Sequence, residues 1–223
     1  MSTGRGTVKT QQGFTLIEIA IVLVIIGLLL GGVLKGQELI TSARVRNLIA
    51  HQDGVKAAYF GFLDRYRALP GDYSQAQANI PNCGGCQQGD NNGRIDGAAE
   101  PISAWEHLSR GGFITGSYVY AAAAAPTNTP VNPYGSLVQL IFDAVYQDAS
   151  PTARHNLKTG ANVPSDILAE VDRKIDDGLA TGGQLRFSTF NGAVNTSQEC
   201  FNTTSGAWQS ATPNANCGAT TLF

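Results

Sequence analysis

The sequence predicts an α+β protein in which a long N-terminal helix, about residues 14–67, packs by its C-terminal half on a loop-rich head. The head is expected to hold an antiparallel β-sheet and short helices. No proline occurs before Pro70, so nothing interrupts a helix of about 80 Å over residues 14–67. Beyond Pro70, turn residues alternate with short apolar segments, which is typical of a small mixed domain.

The first part of this helix is apolar enough to cross a membrane. Phe14 to Leu34 is a run of 21 residues in which Glu18 is the only charged residue. At about 1.5 Å per residue the run covers roughly 30 Å, the thickness of the hydrocarbon core. A secretory signal peptide has a shorter apolar region that ends in a small-residue cleavage site. Arg5 and Lys9 precede the run, which places the N-terminus in the cytoplasm and the head beyond the inner membrane.

Glu18 is the informative residue of the apolar run. An ionised carboxylate on a spanning helix costs about 2.5–3.5 kcal/mol even on lenient insertion scales. A plain membrane anchor explains the length of the run but not this acid. We therefore expect the carboxylate to have a function.

The second part of the helix is amphipathic. Five apolar residues recur at helical spacing on one face: Leu48, Val55, Tyr59, Phe62 and Tyr66. This stripe is predicted to pack on the head, while basic side chains occupy the other faces. Proline disfavours helical geometry in the residue before it, so the helix is expected to end before Pro70.

The N-terminal segment resembles the prepilin signature of type IV pilins and of the pseudopilins of type II secretion. A short basic leader precedes Gly13-Phe14-Thr-Leu-Ile-Glu18 and the apolar helix, and the resemblance covers about residues 1–40. It implies that a prepilin peptidase cleaves between Gly13 and Phe14 and methylates the new Phe14 amine. It also implies that Glu18 pairs with the N-terminus of a neighbouring subunit during filament assembly. A paired buried charge is far less costly than a lone one.

The same resemblance implies the domain organisation and the partners. Residues 1–13 are the cytoplasmic leader, 14–35 the transmembrane and filament-core helix, 36–67 its amphipathic continuation, and 68–223 a periplasmic or extracellular head, as in the lollipop shape of pilins. The expected partners are further copies of the chain, joined through their N-terminal helices, the prepilin peptidase, the inner-membrane assembly platform and the membrane itself.

One feature departs from the family pattern. Many members carry a proline near the end of the apolar stretch, where this chain has Lys35. Glycines are the weak points instead, since each destabilises a helix interior by about 1 kcal/mol relative to alanine. These are Gly27, Gly31, Gly32 and Gly36. They predict either local melting of the helix in a filament or close packing against other helices.

The head contains several weaker periodic segments. Pro101 to Leu108 predicts a short helix with Trp105 and Leu108 turned inward. The remaining predictions are a strand at Phe113–Tyr120, a helix or strand at 136–147, a helix from Pro164 with Ile167, Leu168, Val171 and Ile175 on one side, a strand at Gln184–Phe190, and one or two strands in the tail.

The end of the helix predicted from Pro164 is charged, with Asp172, Lys174, Asp176 and Asp177. They could form an acid–base or metal cluster. The simpler interpretation, which we favour, is an exposed charged helix face followed by a tight turn, with Gly178 as a left-handed cap.

The four cysteines predict two disulfides, because an even count outside the inner membrane favours oxidation. Cys200 and Cys217 enclose 16 residues near the C-terminus, and this segment resembles the disulfide-bounded loop of many type IV pilins. Cys83-Gly-Gly-Cys86 could be a local disulfide, a redox pair or half of a zinc site. We favour the disulfide, because the other two cysteines are too far apart for the usual zinc pattern and the helix context of a redox pair is missing.

A calcium site is the best candidate for ligand binding in the head. Its predicted ligands are Asp90, Asn92, Asp96 and Glu100, oxygen side chains around a glycine turn that suit a hard cation. Calcium also occurs in the heads of some pseudopilins of the family that the N-terminus resembles. The match to a full calcium loop is imperfect, since Gln88 and Ala99 fall at its first and last ligand positions. Turns rich in Asn and Asp also form without metal.

Other function classes have little support. The net charge is −2 and no basic block suits nucleic acid. No nucleophile elbow, phosphate-binding loop or dinucleotide fingerprint occurs, so we expect no enzyme activity. The leading hypothesis is a subunit of a type IV pilus-like filament, assembled from the inner membrane and displayed at the cell surface or in the periplasm. The alternatives are a type II secretion pseudopilin and a membrane-anchored periplasmic binding protein or enzyme.

Overall fold

The computed structural model describes residues 15–189 and 197–223. In chain order its elements are α1 (Leu16–Tyr66), α2 (Ala76–Asn79), α3 (Glu100–Arg110), β1 (Gln139–Asp143), β2 (Arg154–Lys158), α4 (Ser165–Ile175), β3 (Leu185–Phe187), α5 (Ser197–Cys200) and β4 (Ala219–Leu222). The four strands form one antiparallel sheet in the order β1-β2-β4-β3. The predicted α+β class is confirmed. The chain divides into two compact units, Met1–Ser42 and Ala43–Phe223.

Within the second unit, α1 buries one face against the head. The buried residues of this face are Val45, Leu48, Gln52, Val55, Ala58, Tyr59 and Phe62. Their spacing of three and four residues keeps them on one side of a helix. The predicted stripe is therefore confirmed, with Tyr66 half-buried at its end.

Helix α1 ends in a left-handed residue. Arg67 has φ 54°, and its N–H donates to the Leu63 carbonyl oxygen at 2.9 Å, a usual way to close a helix. Four residues later Gly71 has φ 90°, and a Cβ there would lie 2.4 Å from the Glu100 carbonyl oxygen. Only glycine fits this position, so the turn after α1 and the start of α3 approach each other through a backbone contact.

Two apolar cores fill the head. The first joins α1 to α3 and to the β1–β2 side of the sheet, with Phe62, Trp105, Leu108, Leu140 and Leu157 among its members. The second joins α1 to α4 and to the β3–β4 side. Its members include Val45, Leu48, Leu168, Leu185, Phe187 and Trp208. Leu140 of β1 pairs with Leu157 of β2, and Thr221 of β4 pairs with both Leu157 and Leu185, so the sheet connects the two cores.

The predicted strand at Phe113–Tyr120 is wrong. Gly112 and Gly116 have φ of 80° and 112°, values that interrupt an extended strand. Phe113 instead packs edge-on against Phe62, with ring centroids 5.7 Å apart. The ambiguous segment 136–147 contains a strand, β1.

The predicted helices and strands at the other positions are present. Helix α3 buries Trp105 and Leu108 as expected, and α4 buries Ile167, Leu168 and Val171. Ile175, which was expected on the same side, is 42% exposed, because α4 ends at this residue and the chain turns away. Strand β3 lies within the segment predicted at 184–190, of which Phe190 is outside the described residues, and β4 is a strand of the tail.

We predict that Phe62→Ala lowers the free energy of unfolding by about 3–5 kcal/mol, the usual cost of removing a buried aromatic ring. Phe62 is 0% exposed and contacts four other rings, of Tyr66, Tyr73, His107 and Phe113. Chemical denaturation of the full chain in detergent measures the change. Phe60→Ala is the matched control, since Phe60 lies two residues away but is 50% exposed. Equal losses in the two variants would contradict the assignment of Phe62 to the core.

Candidate functional site

Most large apolar side chains in the first part of α1 are exposed. From Leu16 to Leu34 the exposed fraction of these side chains lies between 46% and 91%. Among the described residues, α1 is the one helix long and apolar enough to cross a membrane. An apolar surface of this size needs a cover other than water, and a bilayer or other apolar helices would suit it.

The four glycines of this segment lie inside the continuous helix α1. A Cβ placed on Gly27, Gly31, Gly32 or Gly36 would meet no atom within 4 Å. Contacts within the chain therefore do not require glycine at these positions. Local melting and close packing against other helices both stay predictions.

Glu18 caps the helix on which it lies. Its Oε2 accepts hydrogen bonds from the Thr15 backbone N–H at 2.8 Å and from the Thr15 hydroxyl at 2.7 Å. In return, the Glu18 N–H donates to Thr15 Oγ1 at 3.3 Å. This reciprocal arrangement is a capping box, in which residues three apart satisfy two free N–H groups at the start of a helix.

The capping box is a role of Glu18 that the sequence analysis missed, although its Thr-x-x-Glu signature is readable in the sequence. The carboxylate has a partner within its own chain, so its presence in the apolar run does not by itself require a second subunit. The predicted cleavage site, Gly13 and Phe14, lies outside the described residues.

Both predicted cysteine pairs are disulfide-bonded in the structure. Cys83 and Cys86 close a tight turn, in which the Cys86 N–H donates to the Cys83 carbonyl oxygen at 3.0 Å. Both residues are buried in the first core, an environment that suits a structural disulfide better than a reactive one.

The second disulfide, Cys200–Cys217, belongs to the second core. Closing a loop of this length stabilises a fold by about 3 kcal/mol in the chain-entropy model. The loop also carries Trp208, which is buried against α4. The inner side of this disulfide loop is therefore part of the head, while Asn202 to Ser205 of the loop are exposed.

The structure brings together only part of the predicted calcium ligand set. Carboxylate oxygens of Asp90 and Glu100 lie within 4.8 Å of each other and of Asp72, which the sequence analysis did not include. Asp72 is 18 residues from Asp90 in sequence, and nothing in the sequence indicates that the two meet. Asp96 is not part of this carboxylate cluster; its backbone N–H donates to Glu100 Oε2 at 3.0 Å.

Backbone N–H groups already satisfy much of this carboxylate cluster. Asp72 accepts from Asn92 and Gly93 at 2.9 and 2.8 Å, and Glu100 Oε1 accepts from Asp90 at 3.1 Å. Burial is the main cause that raises the pKa of both Asp72 and Glu100, and these N–H groups oppose it. The cluster thus holds the 90–96 loop through backbone hydrogen bonds, and calcium binding stays a prediction.

His107 holds the same loops from α3. Its Nδ1 accepts from the Gly71 N–H at 2.9 Å, so the proton of the neutral ring is on Nε2, which lies 2.7 Å from the Gln87 carbonyl oxygen. Burial lowers the pKa of His107 to about 4. The ring is therefore neutral near pH 7 and acts as a structural link between the turn after α1 and the segment after the Cys83–Cys86 turn.

Asp172 is buried, which corrects the prediction that it lies on an exposed helix face. It is 0% exposed, accepts from the Trp208 indole N–H at 2.6 Å and from the Gly178 N–H at 3.3 Å. It links α4 to the disulfide loop. Lys174 does lie on the outside, paired with Glu170 at 2.7 Å. Gly178 is left-handed, with φ 80°, but α4 ends earlier, with Asp176 as its C-cap.

We predict that Asp172 makes the head more stable as the pH falls from 7 to about 5. Burial raises the pKa of Asp172 from 3.8 to about 6, so the folded protein binds a proton that the unfolded chain does not bind between these values. The stabilisation is present below pH about 4 and is lost as the pH rises through about 6. Unfolding curves of wild type and Asp172→Asn over this range measure it.

The wild-type protein should show the larger rise, because the asparagine side chain of the variant does not titrate. Asp53→Asn, which alters an exposed acid on α1, is the control and should follow wild type. The hypothesis fails if the stability of Asp172→Asn depends on pH as strongly as that of wild type.

Calcium binding at the carboxylate cluster is expected to raise the melting temperature of the full chain, because a ligand that binds only the folded state stabilises it. Asp72→Asn should abolish the rise, because Asp72 belongs to the cluster. Asp96→Asn should not, because Asp96 lies outside it. Titration calorimetry with CaCl₂ measures binding directly. Absence of heat and of a melting shift would eliminate the site.

Comparison with known proteins identifies the N-terminal segment. Residues 8–34 match the family model described as the prokaryotic N-terminal methylation motif. No curated protein and no solved structure matches the chain significantly. The motif implies processing by a prepilin peptidase and assembly into pilus-like filaments, and the exposed apolar helix fits anchoring in the inner membrane before assembly. Residues 8–34 thus carry the prokaryotic N-terminal methylation motif, the hallmark of type IV pilins and pseudopilins.

Proposed function

We propose that this protein is a structural subunit of a type IV pilus-like filament. A prepilin peptidase cleaves it after Gly13, and the mature chain assembles from the inner membrane through the N-terminal helices of neighbouring copies. The observation that carries this proposal is the exposed apolar surface of α1 within the methylation motif, with Glu18 in its first turn. A surface that fits a bilayer before assembly also fits the helices of other subunits afterwards.

The capping role of Glu18 is compatible with pairing between subunits. Both hydrogen bonds from Thr15 end on one carboxylate oxygen, Oε2. An ionised carboxylate offers about four acceptor positions, so an amine of a second copy can bind the same group. Cleavage after Gly13 creates such an amine at Phe14. The ion pair then compensates a charge that is expensive in apolar surroundings.

The disulfide loop of the head supports the pilus proposal. The head contains a second core closed by the Cys200–Cys217 disulfide, with Asn202 to Ser205 exposed. Such a cross-link stays closed in the periplasm and outside the cell, as a displayed filament subunit requires. The pseudopilin alternative uses the same helix, and the Asp72–Asp90–Glu100 cluster would favour it if calcium binds there.

Two substitutions separate the charge of Glu18 from its capping role. Glu18→Gln keeps a capping-box residue but removes the charge, so the variant should insert and mature yet fail to enter filaments. Thr15→Ala weakens the cap by about 1 kcal/mol but keeps the carboxylate, and it should still assemble. Immunoblots for mature-size chain, electron microscopy of sheared surface filaments and mass spectrometry of their subunits provide the measurements.

The outcomes distinguish the hypotheses. Normal filaments from Glu18→Gln, in a strain with no wild-type copy, would refute the charge-based assembly role. Loss of filaments in Thr15→Ala alone would assign Glu18 to capping. Wild-type chain that matures but is missing from sheared surface filaments would refute the pilus and favour the periplasmic pseudopilin.

A further inference from the structure

Asn92 and Gly93 form an exposed Asn-Gly dipeptide in the 90–96 loop. The peptide nitrogen of the residue after an asparagine can attack the side-chain carbonyl carbon and expel the amide nitrogen as ammonia. Glycine favours this ring closure, because it has no side chain in the way and its backbone moves freely. A Cβ on Gly93 would meet no atom within 4 Å, so the space around the dipeptide is open and water reaches it.

Hydrogen bonds hold the Asn92 carboxamide next to this peptide unit. Its Oδ1 accepts from the Arg94 N–H at 2.8 Å, and its Nδ2 donates to Asp90 Oδ2 at 3.0 Å. The first bond is an Asx turn, which folds the side chain back along the peptide that follows it. The Arg94 N–H also stabilises the negative charge that develops on Oδ1 when the carbonyl carbon is attacked.

Asp72 lies where a base is needed. The Gly93 N–H donates to Asp72 Oδ2 at 2.8 Å, a distance at which a carboxylate can take up the proton of the attacking nitrogen. The other oxygen, Oδ1, accepts from the Asn92 N–H at 2.9 Å, and the residue is 2% exposed, so the carboxylate is fixed in place. The folded chain therefore brings together a nucleophile, its base and an oriented carbonyl group that an unfolded chain would have to assemble by chance.

We propose that Asn92–Gly93 is a self-modification site, at which the folded head converts Asn92 into aspartate or isoaspartate without an enzyme. The Gly93 nitrogen forms a bond to Asn92 Cγ while its proton passes to Asp72. The bond from Cγ to Nδ2 breaks, and the leaving nitrogen takes a proton from water and departs as ammonia. The hydroxide that remains receives the proton from Asp72.

The cyclic imide that forms is then hydrolysed. Water adds to one of its two carbonyl carbons and opens the ring, which gives aspartate or isoaspartate at position 92. The net reaction is hydrolysis of one amide to a carboxylic acid and ammonia, with no oxidation or reduction. It adds a negative charge to a loop that already carries Asp90, and it does not depend on the proposed assembly role of Glu18.

The comparison of folded and denatured chain tests the proposal. The full chain is incubated in H₂¹⁸O, either in detergent micelles or in guanidinium chloride with its disulfides intact. Trypsin cuts after Arg94 and Arg186, so residue 92 and the other Asn-Gly of the chain, Asn191–Gly192, lie in different peptides. Mass spectrometry then measures the ¹⁸O that enters at residue 92. We expect conversion to be several-fold faster in the folded chain, and an equal or slower rate there would overturn the proposal.

Two variants test the role of Asp72. Asp72→Asn removes the base and should slow conversion of Asn92 in the folded chain to the rate of the denatured chain. Asp64→Asn, which alters an exposed acid on α1, is the matched control and should convert as fast as wild type. If Asp72 only held the loop, Asp72→Asn would leave the rate unchanged or raise it, and that result would refute its role as the base. Circular dichroism checks that the variant is folded; if it is not, the wild-type comparison decides.

Discussion

The fold of the head depends on one face of α1 that is shared between two apolar cores. Val45 and Leu48 belong to the core around the disulfide Cys200–Cys217, while Val55, Tyr59 and Phe62 belong to the core around Trp105. Neither core is closed without this helix. Because the same face serves both, the helix segment from residue 43 onward is part of the head and not merely a connection to the apolar first part of α1.

Long loops occupy much of the head, and buried polar groups hold them in place. His107 links Gly71 to Gln87, Asp72 receives two N–H groups of the 90–96 loop, and Asp172 ties α4 to Trp208. A buried polar side chain with its partners present fixes backbone that no helix or strand ladder satisfies. The same burial shifts the pKa values of these groups away from their usual range, so we expect the stability of the head to depend on pH.

Glu18 has a structural role within the single chain, beside the assembly role that we propose for it. In the chain it completes a capping box with Thr15 at the start of α1. A capping role is sufficient to explain an acid at a helix start, where the helix dipole also favours negative charge. The apolar surface that follows, exposed along α1 to Leu34, is the feature that needs other molecules. The two observations together support a filament subunit better than either does alone.

The sequence by itself determined the features that depend on neighbouring residues or on composition. These include the long helix and its apolar first part, the inward stripe through Phe62, the helices α3 and α4 and the methylation motif. Periodicity and motif spacing are local properties, so they can be read without the fold. Even the Thr15–Glu18 capping box is readable in the sequence, as a Thr-x-x-Glu pattern at the start of the apolar helix.

Only the tertiary structure decided which distant residues meet. Asp72 joins Asp90 and Glu100 in the carboxylate cluster, and Asp96 does not belong to it. Asp172, which the helix pattern predicted to be exposed, is buried and accepts a hydrogen bond from Trp208. The tertiary structure also replaced a predicted strand at Phe113–Tyr120 by turns, because packing of Phe113 on Phe62 outweighs the local preference for an extended chain. Such contacts join residues between 18 and 51 positions apart, and their free energy depends on burial, which no local pattern contains.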